Sequence, residues 1–247
     1  MRMLINKAWL ETRARFLAAA AVLTILGIST VVRAPATMAG WEAFHVGERM
    51  SYALYIWLSL SHGFLQFLWV VSAVILGLGG LLRERAMGTS GFTLALPVRR
   101  STQVAARAIV GAAEAVALGF IPGVLVVALS PLVGLSYPLS QALLFGALLV
   151  SAGLVFYALG FALSHLLHGE YAPPGVALAL IAGFYVVTKF PGLEHLNIFD
   201  AMDGKQVLIG HTFYLGGAYP VAAIAASLIC ALLFVLISAW RMETAEF

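Results

Sequence analysis

The sequence predicts an all-α polytopic membrane protein with six transmembrane helices. Three observations carry this. Of its 247 residues, 62% are hydrophobic and only 10% charged, whereas a soluble domain carries roughly a quarter charged residues. The apolar residues are gathered into long runs, and a helix needs about 20 of them to cross a hydrocarbon core. The runs lack the alternation of barrel strands, and only helices or closed barrels satisfy backbone polar groups in lipid.

Each element follows from the chain in order. In residues 1–15, Lys7, Glu11 and Arg15 form a stripe at i, i+4 and i+8, with Ile5, Trp9, Thr12 and Phe16 roughly opposite. That pattern predicts an amphipathic interfacial helix with Trp9 at headgroup depth. The first span is Phe16 to Val32 and the second about Tyr52 to Leu82, long enough to tilt or project into water. The third is Ala108 to Leu132, where Pro122-Gly123 interrupts the hydrogen-bond ladder and predicts a kink. The fourth runs from about Leu139 to Leu167, the short fifth from Gly175 to Thr188, and the sixth from Ala218 to Trp240. A basic start, an apolar run and Ala34-Pro35-Ala36 suggest a cleaved signal peptide, but both the basic region and the run are too long for one. The expectation is one transmembrane domain over residues 1–247.

Charge sets the orientation. Ten of the fourteen Lys and Arg residues fall on one side of this arrangement: Arg2, Lys7, Arg13, Arg15, Arg83, Arg85, Arg99, Arg100, Arg107 and Arg241. Arg33, Arg49, Lys189 and Lys205 fall on the other. The positive-inside rule places both termini and the 83–107 loop in the cytoplasm. The basic residues flank apolar runs and build no basic face, so nucleic acid is excluded as a partner despite the pI near 9.2. The single cysteine, Cys230, lies inside an apolar run and cannot form an internal disulfide.

The 83–107 loop concentrates the polar chemistry. Gly88-Thr89-Ser90-Gly91 resembles the nucleophile motif of rhomboid intramembrane proteases, which also have six helices. Such chemistry needs the serine buried at a helix start with a histidine base in reach. Ser90 instead sits among Arg83, Arg85, Arg99 and Arg100, with His62 on the preceding helix. A mechanical role needs permissive turn points (Gly88, Gly91), a rigid end (Pro97), an apolar docking face (Phe92, Leu94, Leu96) and cationic anchors (Arg99, Arg100).

The order Glu84, Gly88-Thr89, Leu94, Leu96-Pro97-Val98-Arg99 and then Ala106-Arg107 resembles the loop of bacterial ABC exporter permeases of the type-two superfamily, with the type V exporter fold. The resemblance implies a permease subunit whose loop forms a cytoplasmic coupling helix. Its docking residues would be Glu84, Gly88, Thr89, Phe92, Leu94, Leu96, Pro97, Arg99 and Arg100. The partners implied are a separate ABC ATPase, which holds ATP and Mg, and a second permease copy or paralogue forming a dimer in the bacterial inner membrane. It also implies that residues 191–217 form short outer-side helices that dip back into the membrane. The chain has no phosphate loop of its own, since its only Gly-Lys, Gly204-Lys205, is followed by Gln206. It is therefore expected to be no enzyme by itself and to hold no cofactor. The other classes are a six-helix serine protease using Ser90, and a secondary carrier or channel, which would show internal repeats or more intramembrane charge.

Candidate residues on the substrate path are few. Glu114 lies two turns into the third span, where a carboxylate is costly and by default functional. It either faces a cavity or the dimer seam and pairs with a cation, or stays near headgroup depth and reaches Arg107. His62 and Gln66, one turn apart on the second helix, line the same path or bond between helices. Glu194, His195, Asp200, Asp203 and His211 lack tight ligand spacing, so no metal is expected.

One prediction is topological. After replacement of Cys230, cysteines at Thr89 and Thr244 will be labelled by an impermeant maleimide only from the cytoplasm, and one at Gly204 only from outside. Labelling of position 89 from outside would reverse the orientation.

Overall fold

The computed structural model describes residues 2–45, 49–79, 98–167, 169, 171–193 and 197–244. Glu84, Gly88, Thr89, Ser90, Phe92, Leu94, Leu96 and Pro97 lie outside them, as do Glu194 and His195. The described residues are almost entirely helical. Five helices are long and apolar enough to cross a membrane by length and composition, and a sixth apolar helix is shorter.

The first, α1, runs unbroken from Arg2 to Phe44 with Pro35 inside it. The expected interfacial helix and the first span are thus one helix. The charged stripe explains why: Glu11 and Arg15 turn toward the other helices and find partners there. Trp9 is left 40% exposed.

The second span is broken. A short helix α2, Tyr52–Ile56, is capped by Ser51. It continues into a π turn, Trp57–Ser61, closed by the His62 N–H donating to the Trp57 carbonyl at 2.8 Å. His62 then extends (φ −102, ψ 94) and Gly63 adopts φ 118, which glycine alone tolerates readily. Helix resumes as α3, Phe64–Gly77.

Helix α4, Arg100–Leu129, contains Pro122 and ends in a 3₁₀ turn over Ser130–Val133, with Gly134 left-handed at φ 74. Helix α5, Leu139–Leu166, is the axis of the bundle and packs against α3, α4 and the three helices that follow it. These are α6, Ala172–Val187; the short α7, Ile198–Met202; and α8, Val221–Thr244. Two 3₁₀ turns, Lys205–Val207 and Gly210–Thr212, follow α7. Only Ser227, Ser238 and Met242 of α8 are buried, so its leucines and isoleucines form an apolar outer surface of the kind lipid covers.

Small residues let the axis approach its neighbours. Gly146, Gly153 and Gly160 recur every seven residues of α5, two turns apart on one face. A Cβ at Gly160 would stand 2.8 Å from the Val74 carbonyl oxygen, and one at Gly77 would stand 2.6 Å from that of Tyr157. Without a hydrophobic drive between helices in lipid, such close backbone approach is what holds them. In the turn after α7, Gly204 has φ 70 and a Cβ there would meet Leu215 at 2.7 Å, so exposed Lys205 is the better position for a labelling cysteine.

Gly160→Val will separate α3 from α5 and destabilise the detergent-solubilised protein by about 1–3 kcal/mol or more, as overpacking does. Gly183→Val, on a helix face with open space, will leave the melting temperature near that of the parent. Equal melting curves for the two would show that α3 and α5 are not held by backbone contact.

Candidate functional site

Two polar clusters lie toward opposite ends of α3. The first sits at the break in the second helix. His62 Nδ1 meets Asp203 Oδ2 at 2.6 Å. Trp57 stacks on the His62 ring at 4.8 Å and 16°, and its Nε1 donates to the Asp203 carbonyl at 3.0 Å. One turn into α3, Gln66 Nε2 donates to the Phe199 carbonyl at 2.6 Å. Asp203 Oδ1 accepts from the Lys205 N–H at 2.8 Å.

His62 and Gln66 therefore do share a partner, and that partner is the 199–203 segment. The segment is deeply set: Ala201, Met202 and Asp203 are each 1% exposed. Met202 lies against Trp69 and the middle of α5, where a Cβ at Gly153 would meet both. Burial pushes the Asp203 carboxyl above the usual carboxylate range, partly offset by its hydrogen bonds from His62 and the Lys205 N–H.

The second cluster gathers where α3 ends and α4 begins. Thr12 Oγ1 lies 2.5 Å from Glu114 Oε1, and Arg107 meets Glu11 at 3.0 Å. Arg15 donates to the Leu78 carbonyl. Ser164 of α5 bonds to the Gly79 carbonyl at 2.7 Å, Tyr157 to that of Ala108 at 3.1 Å, and Arg100 to that of Met242 at 3.4 Å. Glu114 is 4% exposed, and its Oε2 has no hydrogen-bond partner among the described residues.

Thr12 links the protonation of this group to α1. Its single hydroxyl proton goes either to an ionised Glu114 or to the Ala8 carbonyl, 3.1 Å away; in the latter case a protonated Glu114 supplies the hydrogen between them. Glu114 is not joined to His62 and Gln66, since α3 and the Trp69–Ala115 contact separate the two clusters.

The sequence suggested Arg107 as a neighbour of Glu114, but it gave no reason to connect Thr12 with Glu114, Glu11 with Arg107, or Asp203 with His62, because these partners lie far apart along the chain. Buried His165, at the end of an apolar run, likewise has no partner visible in the sequence. Its Nδ1 bonds to the Phe161 carbonyl at 2.8 Å beside Ser164, and its Nε2 has no partner among the described residues.

The His62–Asp203 pair has the arrangement of a base and its orienting acid. Among the described residues no serine or cysteine hydrogen-bonds to His62, and no cluster of three metal-ligating side chains occurs. Fourteen residues of α3, about 20 Å of helix, separate His62 from the start of the loop that carries Ser90. Of the expected docking residues only Arg99 and Arg100 are described, as the N-cap and first residue of α4.

No family model, curated protein or solved structure matches the chain.

If the first cluster seats the 198–207 segment, His62→Ala and Asp203→Ala will each raise amide hydrogen exchange across that segment, with α4 and α5 protected as before. Unchanged exchange in 198–207 would show that packing of Met202 and Val207 alone holds it.

Proposed function

We propose that the chain is the membrane-spanning permease subunit of an ATP-driven exporter, with a separate ATPase docked on the 83–107 loop. The observation that carries this reading is the ordered pattern Glu84, Gly88-Thr89, Leu94, Leu96-Pro97-Val98-Arg99 within an apolar chain that lacks a phosphate loop. ATP and Mg belong to the ATPase, so this chain is a transporter component and not itself the enzyme. A second copy or paralogue completes the dimer, in a bacterial inner membrane, with both termini cytoplasmic.

The frame around the loop supports transmission of a push. The loop joins the end of α3 to the start of α4, and both ends are tied to α1: Leu78 through Arg15, and α4 through Glu11–Arg107 and Thr12–Glu114. Arg100, the first residue of α4, also reaches the last turn of α8. Movement of the loop would carry α1, α3, α4 and α8 together. In this reading Glu114 is the element of the path that senses the cytoplasmic side, and His62 with Gln66 holds the far side closed through Asp203 and Phe199.

The test is copurification and coupling in a reconstituted complex. Phe92→Asp places a charge in the docking groove and removes about 1.5–3 kcal/mol of aromatic burial. The ATPase will dissociate, or will hydrolyse ATP without transport. Ser90→Ala will be tolerated, and Glu114→Gln will insert normally while changing transport or substrate-stimulated hydrolysis. An inactive Ser90→Ala beside an active Phe92→Asp would replace this reading with the serine-protease one.

A further inference from the structure

Glu114 is a carboxyl set into the seam between α1 and α4, and it lacks the partners that a buried charge requires. It is 4% exposed, its Oε1 meets Thr12 Oγ1 at 2.5 Å, and its Oε2 meets no donor among the described residues. The cation nearest in sequence, Arg107, is two turns away and pairs with Glu11 at 3.0 Å. An ionised carboxylate buried on one hydroxyl donor, with no cation against it, is costly, and one proton removes the cost.

The neutral acid fits the geometry. Its hydroxyl donates to Thr12 Oγ1, and Thr12 passes its own proton to the Ala8 carbonyl at 3.1 Å. Only the acid's carbonyl oxygen then lacks a donor, a smaller defect than an unpaired charge. Ionisation reverses the pair, because Thr12 must turn its proton away from Ala8 and toward Glu114. One proton therefore decides which way a hydrogen bond between α1 and α4 runs.

No neighbouring element supplies the missing donor among the described residues. On α1, Glu11 lies beside Thr12 and holds Lys7 and Arg107, and Arg15 donates to the Leu78 carbonyl. On α5, Tyr157 lies within electrostatic reach of Glu114 but donates to the Ala108 carbonyl at 3.1 Å, and His165, two turns further on, bonds to Phe161. Helix α3 carries no titratable side chain. On α8, Arg241 and Glu243 lie level with Arg100 rather than with Glu114, and Cys230 is exposed. The cleft between α2, α4, α5 and α7 and the one between the ends of α3 and α5 and the start of α6 do not reach Glu114. Neither offers a bulkier cation a way to it, whereas a proton needs no cavity.

We infer that Glu114 is a proton-binding site, loaded from the end of the bundle where α1 begins, whose occupancy switches the Thr12 hydrogen bond between α1 and α4. The proton comes from water at that end, where the side chains of Glu11 and Lys7 are 36% and 38% exposed. It neutralises the carboxylate, and its release restores the charge. The inference rests on the place that the permease reading gives Glu114 and names the ligand there.

The experiment uses the purified full chain in lipid nanodiscs, without ATPase, and infrared spectroscopy at neutral pH. The wild type will show the carbonyl stretch of a protonated carboxylic acid, and Glu114→Gln will lose it, with an unchanged melting temperature reporting an intact fold. Subtracting the two spectra separates this band from any contribution of buried Asp203. Isotope-labelled glutamate will move the band in the wild type, which identifies a glutamyl acid even where a Glu114 variant is unstable. Thr12→Val removes the acceptor of the acid's hydroxyl and will shift the band to higher frequency. Absence of an acid band at neutral pH, or a band that survives Glu114→Gln, would overturn the proton site. An unmoved band in Thr12→Val would overturn its link to α1. The measurement requires neither ATP nor a partner, so its failure leaves the ATPase-docking test standing, and the reverse holds too.

Discussion

The interruption of the second helix at His62-Gly63 is the constraint around which the rest is arranged. A membrane-embedded helix closes its own hydrogen bonds, and an interruption leaves backbone and polar side chains in need of partners. Here the 197–207 segment supplies them. Asp203 meets His62 and Trp57, and the Phe199 carbonyl takes Gln66. Seating this segment brings Met202 to Trp69 and Gly153 at the middle of α5, so the break and the bundle axis are joined through one methionine. Gly63 makes the interruption possible, because at φ 118 a side chain would be strained.

The other end of the bundle is organised by ionic and hydroxyl contacts. Glu11, Thr12 and Arg15 occupy successive positions around one side of α1 and reach Arg107, Glu114 and Leu78. Charged groups near a helix end in lipid usually turn toward water. On α1 they turn inward because α4 brings a carboxylate and a guanidinium within reach. The two ends thus differ in chemistry: an aspartate–histidine pair with an aromatic lid at one, and a network of fixed charges across three helices at the other.

The interior also shows how a chain so rich in alanine, glycine and leucine acquires a defined packing. Gly77 and Gly160 permit backbone contact between α3 and α5, Gly146 receives the Phe120 ring, and Gly153 receives Trp69. These fits between small and large side chains determine which helix faces meet. The exposed face of α8 has no such pattern and presents branched and long apolar side chains outward.

The apolar runs by themselves determined the helical class, the five long helices and the shorter sixth, because length and hydropathy are properties of contiguous residues. They also located the polar exceptions, Glu114, His62 and Gln66, since a polar group inside such a run is visible without its partner. Pairing was decided only by the tertiary structure. Glu114 and Thr12 are 102 positions apart and His62 and Asp203 are 141 apart, and no local pattern encodes a contact across that distance. The same holds for the continuous α1. The stripe of Lys7, Glu11 and Arg15 fits either a membrane surface or a polar seam between helices, and only the position of Arg107 on α4 selects the seam.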